Sequence, residues 1–106
     1  MAEQSMKILK KSAPIFAMLQ DENRQQILLM LCAVDKLTVN QITEQLELSR
    51  PAVSHHLKLL LDAGLVTVTR AGTERYYTVH LNGAIDLLKQ LTASLEADLN
   101  QREARY

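Results

Sequence analysis

Two short helices with sharply marked starts follow one another in the middle of this chain. Thr38 and Gln41 have the spacing of a capping box, so the first helix begins directly after Thr38. For the second helix Ser49 is a favourable N-cap, Pro51 is tolerated in the first turn, and Gly64 supplies a stop. Two such helices joined by about three residues are typical of a helix-turn-helix.

Beyond these helices the apolar period changes from near four to two. Residues 65–80 contain two segments rich in β-branched and aromatic side chains, separated by a loop that contains Gly72. This pattern predicts a two-stranded hairpin, the wing. Because neighbouring side chains of a strand point to opposite faces, at least one of Tyr76 and Tyr77 is expected to pack on the helices.

Longer helices are predicted on both sides of this arrangement. Residues 3–19 form a helix with apolar side chains on more than one side, in which Pro14 predicts a kink or a restart. A second helix covers residues 22–34, and Asn82 caps a final one that is followed by a polar tail, residues 100–106. The order ααααββα predicts a mainly α fold with a small β-hairpin, a winged helix-turn-helix.

The chain has 106 residues, which is about one domain's worth. We therefore expect a single winged helix-turn-helix domain over residues 1–106, with the helix-turn-helix at 38–64 and the wing at 65–80. The first and last helices, residues 1–20 and 82–100, carry more apolar surface than one small core uses. That excess predicts a homodimer in which these two helices pair with their copies.

Several motifs between about Phe16 and Val79 match one known family of bacterial proteins. They are Asp21-Glu22-Asn23-Arg24 followed by Ile27-Leu28, the run Leu48-Ser49-Arg50-Pro51-Ala52-Val53-Ser54-His55-His56-Leu57-Lys58-Leu59-Leu60, Ala63-Gly64-Leu65-Val66, and Gly72 with Tyr76-Tyr77. In these motifs the chain resembles the ArsR/SmtB family of winged-helix repressors. The resemblance implies a dimeric DNA-binding repressor that releases its operator when an inducer binds.

The best-known inducers of the resembled family are metals, and the sequence departs from both familiar metal sites. Members that bind metal at the helix before the recognition helix carry Cys where this chain has Thr38 and, in some, Asn40. Members that bind zinc between the last helices use positions that fall, in an ungapped alignment from Tyr77, on Leu81, Gly83, Ser94 and Ala97. None of these side chains is a plausible zinc ligand. We therefore expect no metal cofactor, and the inducer is unknown.

The second short helix presents the candidate DNA-binding face. If Val53, Leu57, Leu60 and Leu61 face the core, the other side carries Arg50, Pro51, Ser54, His55, Lys58 and Asp62. The N-terminal turns of such a helix enter the major groove, so Arg50, Ser54 and His55 are placed to reach base edges and Lys58 to meet phosphate. The alternative is an ordinary solvated helix face.

Four further residues complete the predicted DNA-binding set. Thr38 and Asn40 could donate to phosphate, although Thr38 is also needed as a cap. Arg70 and Arg75 flank the hairpin tip, where they either contact an adjacent minor groove or backbone or simply keep an exposed hairpin soluble. In the resembled family, Ser54 and His55 match base-contacting positions. Arg50 and Pro51 stand where other members often have Gln and Ser, so the operator sequence does not carry over.

Cys32 is the only cysteine, and its place beside Ile27, Leu28 and Leu31 predicts a small buried hydrophobe. A redox switch at Cys32 stays open as an alternative, although a thiol sensor normally pairs with a resolving cysteine and only a disulfide between two copies could form here. An atypical metal site at His80 is a further alternative. The sequence contains no glycine-rich phosphate loop, HExxH pair or nucleophile elbow, so we do not expect an enzyme.

The balance of charge bears on the choice of partner. Twelve Lys and Arg balance twelve Asp and Glu, which excludes a protein that coats DNA indiscriminately. Neutrality also keeps a competing hypothesis open, a winged-helix protein-interaction module without DNA binding. Residues 50–75 nevertheless carry four basic side chains against two acidic ones. We therefore predict a sequence-specific transcriptional regulator that acts as a homodimeric repressor on a palindromic operator in double-stranded DNA.

The location of the protein is predicted from two absences in the sequence. No apolar run approaches the roughly eighteen residues of a membrane helix, and the first residues carry an acid and no apolar signal region. We expect a cytoplasmic protein without a membrane partner.

Overall fold

The structure is a computed structural model and describes residues 2–104. Its elements in chain order are α1 (Ala2–Leu19), α2 (Glu22–Ala33), β1 (Leu37–Thr38), α3 (Val39–Glu44), α4 (Arg50–Asp62), β2 (Val66–Ala71), β3 (Glu74–Val79) and α5 (Asn82–Ala104). The predicted winged helix-turn-helix order is confirmed, with the short strand β1 as an addition. No helix in residues 2–104 is both long and apolar enough to cross a bilayer.

One compact unit comprises residues 15–81 and holds most of the buried apolar side chains. The fully buried side chains of α2, α3 and α4 are Ile27, Leu31, Ile42, Val53, Leu57 and Leu60. Tyr77 is also buried, which confirms that one tyrosine of the pair packs inward. Tyr76 is half-buried on the other face, with the Lys36 ammonium 4.4 Å from its ring centroid.

The sheet has three strands in the order β1-β3-β2, one more than the predicted hairpin. Leu37 pairs with Tyr77 and Thr38 with Tyr76. A strand of two residues is too short to show an alternating pattern, which is why the sequence did not reveal β1. The hairpin loop consists of Gly72 and Thr73, and only Gly72 has a positive φ, 65°. A positive φ at the first loop position alone is the signature of a type II′ turn.

The predicted caps of the two short helices are all present. Thr38 Oγ1 accepts from the Gln41 N–H at 3.2 Å, and the Thr38 N–H donates to Gln41 Oε1 at 2.9 Å. Ser49 Oγ accepts from the Ala52 N–H at 3.3 Å and so caps α4. An Ala at such a cap costs about 1 kcal/mol, so both helix starts are well defined.

The end of α4 is fixed by backbone hydrogen bonds. The Gly64 N–H donates to the Leu61 carbonyl and the Leu65 N–H to the Leu60 carbonyl, each at 3.0 Å. This is the Schellman pattern, and Gly64 supplies the left-handed residue that it requires, with φ 76°.

The connection between the two short helices covers residues 45–49 and is longer than predicted. The last turn of α3 tightens, because the Gln45 N–H donates to the Ile42 carbonyl and the Leu46 N–H to the Thr43 carbonyl, each three residues back. The α-helix therefore ends at Glu44.

The other compact unit comprises residues 2–14 and 82–104. It contains a polar cluster in which the Ser5 hydroxyl donates to Asp98 Oδ2 at 2.6 Å and lies 2.5 Å from the Ser94 hydroxyl. Since Ser5 has one proton and gives it to Asp98, Ser94 donates to Ser5. Ser5 is buried, so this cluster satisfies polar groups that would otherwise lack water.

The structure corrects two expectations about the outer helices. Of the kink or restart predicted at Pro14, the restart is absent, because α1 is one continuous helix; the carbonyl that loses its partner belongs to Lys10, which is exposed and can bind water. The helix α5 runs to Ala104 and includes most of the predicted polar tail, whose Gln, Arg, Glu and Ala are all good helix formers. Residues 105 and 106 of that tail lie outside the described residues.

Cys32 is exposed, so the prediction of a buried hydrophobe is wrong. The buried face of α2 is made by Ile27, Leu28 and Leu31. Cys32 lies roughly 100° around the helix axis from Leu31 and falls at the edge of that face. Leu61 departs in the same way from the predicted core of α4: it is 37% exposed, about 100° around from the buried Leu60.

Candidate nucleic-acid interface

The outer face of α4 carries three polar side chains in a row. Arg50, Ser54 and Lys58 follow one another at intervals of four residues, so they lie along one line of the helix surface, and all three are exposed. Val53 and Leu57 lie roughly 100° around the helix axis from this row, and they anchor α4 in the core without any exposed surface. The row is therefore presented on a rigid element.

A polar cleft of about 470 Å³ extends from this row to the wing. Its lining consists of Val39, Asn40, Arg50, Ser54, Lys58, Leu61, Thr73, Glu74, Arg75 and Tyr77. Five of the predicted DNA-binding residues thus share one cleft: Asn40, Arg50, Ser54, Lys58 and Arg75. Arg50, Lys58 and Arg75 bring three positive charges to it, against the single carboxylate of Glu74.

The remaining predicted residues lie outside the lining of this cleft. Pro51 and His55 are exposed on the first two turns of α4, and Arg70 is exposed on β2. Thr38 is only 8% exposed, and its hydroxyl accepts the capping hydrogen bond from Gln41. Thr38 therefore contributes as the cap that fixes the start of α3, two residues before the exposed Asn40.

The register of the wing places its two arginines directly opposite each other. Arg70 pairs with Arg75 across β2 and β3, and Val68 pairs with Tyr77 on the same face of the hairpin. Both arginines are exposed. Like charges at directly opposed positions repel each other, so an anion between the two guanidinium groups would relieve that repulsion.

Sequence reasoning missed that Glu74 and Tyr77 line the cleft. The signal was available in the hairpin loop: a two-residue turn at Gly72-Thr73 fixes the register, and the alternation of strand faces then puts Arg75 on the same side as Tyr77. Since Tyr77 packs inward, Arg75 on that face points to the side of the helices.

No group of three His, Cys, Asp or Glu side chains in residues 2–104 is arranged to hold a metal ion. At the first position of the family's metal site, Thr38 is occupied with its cap. At the other, Ser94 belongs to the hydrogen-bonded cluster with Ser5. Neither environment offers the several converging ligands that zinc needs.

The start of α2 carries a second group of polar side chains. Asp21 caps this helix by accepting from the Arg24 N–H at 3.0 Å. This backbone hydrogen bond lowers the pKa of Asp21 from its usual value, and attraction to His56 and to the Arg24 guanidinium lowers it further, while partial burial opposes the shift. The carboxylate of Asp21 is thus favoured in the folded state.

Replacing Asp21 by Ala is expected to destabilise the fold by about 1 kcal/mol at pH 7. Because the pKa of Asp21 is lowered on folding, this contribution is present above the pKa of an unfolded Asp, near 3.9, and disappears as the pH falls through the folded value. Urea denaturation at pH 7 and pH 3 measures the difference. Asp21→Asn keeps an oxygen acceptor without the charge, so its loss of stability at pH 7 should be smaller than that of Asp21→Ala, and the difference between the two variants should depend little on pH. An equal loss for Asp21→Ala at both pH values would contradict this account.

Comparison with known proteins places the helix-turn-helix in a recognised group. Residues 21–68 match the model of the bacterial regulatory protein, arsR family. The arsenical resistance operon repressor of Bacillus subtilis (strain 168) is 38% identical over 80 residues, which cover 76% of this chain and 76% of that protein. The transcriptional repressor SdpR of the same strain is 33% identical over 66 residues, 62% of this chain and 72% of that protein.

A solved structure resembles nearly the whole chain. It is an ArsR-like transcriptional regulator from Rhodococcus sp. RHA1, with a TM-score of 0.81 and 26% sequence identity, and the match covers 94% of this chain and 90% of that one.

Proposed function

The chain belongs to the ArsR family of bacterial regulatory proteins and is a DNA-binding transcription regulator, and on that premise we propose that it is a homodimeric repressor whose α4 reads a palindromic operator. The observation that carries the proposal is the cleft between α4 and the wing, which gathers Arg50, Ser54, Lys58 and Arg75 on exposed surface. The relatives of this chain include proteins named as repressors, which supports repression as the mode of action.

In this proposal the first two turns of α4 enter the major groove. Arg50, Ser54 and His55 lie there and meet base edges, with the planar fork of Arg50 matched to the two acceptors of guanine. Pro51 makes the neighbouring apolar contact and keeps the first turn of the helix rigid. All four residues are exposed, so they need no rearrangement to reach the groove.

The remaining contacts go to the DNA backbone. Lys58 lies one turn beyond Ser54, and Asn40 lies across the cleft at the start of α3, so both are suited to phosphate oxygens. The opposed pair of Arg70 and Arg75 supplies the anion site of the wing, where a phosphate or a narrow minor groove offsets the repulsion between them. Thr38 acts indirectly, through the cap of α3.

The proposed dimer rests on apolar side chains that the single chain leaves uncovered. On α5, Ile85 is 44% exposed, Leu95 44% and Leu99 54%. Together with the half-buried Leu88 they are separated by three, seven and four positions, which places them in one stripe along the helix. On α1, Met6 is 53% exposed. The other exposed large apolar side chains of α1 are Leu9, Phe16 and Leu19. Contiguous apolar surface of this kind marks an interface, and a two-fold axis lets each stripe meet its own copy.

A dimer also suits the charge distribution. Residues 50–75 carry four basic side chains, Arg50, Lys58, Arg70 and Arg75, against two acids, whereas α5 carries two, Lys89 and Arg102, against four acids. Two copies would present two modest basic faces, and recognition helices of such dimers bind half-sites about 34 Å apart, one turn of DNA. Overall neutrality then limits non-specific binding, so base contacts decide which site is occupied.

The proposal includes an inducer that binds elsewhere than at the familiar metal positions of the family. Thr38 and Ser94 are engaged in hydrogen bonds with Gln41 and Ser5, and neither carries a thiolate, imidazole or carboxylate.

The proposed function is tested by selecting the fragments of the source genome that the protein retains. The retained sequences should share an imperfect palindrome, and binding to a duplex that carries it should weaken linearly with the logarithm of salt concentration as phosphate contacts are screened. A scrambled duplex of the same length is the control. Failure to retain any fragment, at low as well as moderate salt, would instead favour a winged-helix module that binds protein.

A further inference from the structure

Arg24 in α2 forms hydrogen bonds with two other helices of the unit formed by residues 15–81. Its Nε donates to the Met18 carbonyl at 3.1 Å and its Nη2 to the Ala17 carbonyl at 3.3 Å, which are both in the last turn of α1. Its Nη1 contacts Nδ1 of His56 in α4 at 3.4 Å. One planar guanidinium thus bridges the end of α1 and the helix that carries the candidate DNA-binding row.

The chemistry of this contact determines the protonation state of His56. A guanidinium group only donates hydrogen bonds and does not deprotonate in proteins. A hydrogen bond from Arg24 to Nδ1 of His56 therefore requires a neutral ring that carries its proton on Nε2. A protonated ring has a donor at both nitrogens, so it loses the hydrogen bond and repels Arg24.

His56 is also close to the residues proposed to bind DNA. It is half-buried on α4, next in sequence to His55, and the two ring centroids are 6.2 Å apart. His55 faces solvent, whereas His56 faces Arg24. A change at His56 therefore acts on the position of the helix turn from which Ser54 and His55 project.

We propose that His56 is a positioning residue: its neutral ring holds α4 against Arg24 in the orientation that binds the operator, and its protonation releases that hold. The inference rests on the proposed function, because it concerns how the same DNA-binding face is regulated. Histidine is the side chain whose ordinary change of charge falls between pH 5 and pH 8, so pH is the variable that tests the inference.

The charged groups around His56 give the protonated ring an alternative partner. Arg24 repels it, and the Asp21 carboxylate, which attracts His56, lies at the N-cap of the same helix. The exposed His55 is the neighbouring ionisable side chain on α4 itself. Protonation therefore replaces the hydrogen bond with Arg24 by repulsion, while the negative charge of Asp21 attracts the ring.

The test compares operator binding at pH 8 and pH 5.5 for the parent, His56→Asn and His56→Leu. Asn offers an oxygen acceptor close to the position of Nδ1 but does not titrate, whereas Leu offers none. We expect the preference of the parent for the selected operator over a scrambled duplex to fall roughly fivefold at pH 5.5, the value of about one hydrogen bond. The preference of His56→Asn should change less between the two pH values than that of the parent, and His56→Leu should have a reduced preference at both.

His80→Asn is the matched control, since it removes an exposed histidine at the end of the wing and should follow the parent at both pH values. His55 is present in all of these proteins, so any effect of pH on His55 is common to them and the difference between the parent and His56→Asn reports on His56. Thermal unfolding of each variant separates a change in stability from a change in binding, and if His56→Leu does not fold, His56→Asn alone decides.

Two outcomes overturn the inference in distinguishable ways. The first outcome is that the parent and His56→Asn both bind the operator at pH 8 and that their preference for it changes with pH in the same way. This result would overturn the role of His56 and leave the proposed function intact. A parent that binds no duplex at pH 8 would overturn the proposed function and this inference together. Loss of the pH effect in His80→Asn would assign the titration to another histidine and equally overturn it.

Discussion

Arg50→Ala is expected to lower affinity for the operator by about 1–3 kcal/mol, roughly fivefold to 150-fold, because it removes a bidentate contact with guanine. The side chain is exposed in the first turn of α4 and makes no contribution to the buried core, so the variant should fold like the parent. Affinity for a scrambled duplex should fall much less. Fluorescence anisotropy titrations with the two duplexes measure both affinities at one fixed salt concentration.

Lys58→Ala provides the contrast that makes this result specific. Lys58 shares the cleft with Arg50 but lies two turns further along α4, where phosphate is the expected partner. Loss of Lys58 should weaken binding to the operator and to the scrambled duplex by the same factor. It should also reduce the slope of log affinity against log salt concentration by about one. The two variants therefore separate base recognition from backbone attraction.

The matched control for Arg50→Ala is Arg102→Ala, which removes the same charge from an exposed position in the last turn of α5. It should leave the discrimination between the two duplexes unchanged. If Arg50→Ala binds both duplexes as tightly as the parent does, the first turn of α4 does not read bases and the proposed orientation on DNA is wrong.

The features predicted correctly from the sequence are those fixed by local hydrogen bonding. The capping box of Thr38 and Gln41, the cap at Ser49 and the stop at Gly64 each depend on residues within a few positions of one another. Such signals determine where a helix begins and ends whatever the rest of the chain does. They were sufficient to predict the helix-turn-helix and the exposed row on α4.

The features that were missed depend on contacts distant in sequence or on small rotations around a helix. The strand β1 exists because Leu37 and Thr38 meet β3, some forty residues further along the chain. The contact between Arg24 and His56 joins residues 32 positions apart and has no periodic signature. Cys32 is exposed although it follows the buried Leu31 by one residue, a rotation of roughly 100° around the helix axis. The spacing of apolar residues in a sequence does not resolve such a rotation.

Leu95→Glu is expected to convert the proposed dimer into a monomer of 12.0 kDa. Leu95 lies in the exposed apolar stripe of α5 and is 44% exposed in the single chain, so a carboxylate there is hydrated in the monomer. In a two-fold interface each copy would have to bury that charge without a partner, and the desolvation cost far exceeds the apolar contact that Leu95 supplies. Light scattering during size-exclusion chromatography reports the mass.

Loss of the dimer should also reduce operator affinity by roughly a hundredfold or more, because a monomer binds one half-site and gains nothing from the second. Gln90→Glu is the matched control: it adds the same charge at an exposed position of α5, nearly opposite the stripe formed by Ile85, Leu95 and Leu99. That variant should remain a dimer with the parent's affinity. A Leu95→Glu protein that keeps the parent's mass and affinity would show that the α5 stripe is not the interface. A Leu95→Glu monomer with undiminished affinity would instead show that one recognition helix is enough, and the proposal of a palindromic operator would lose its basis.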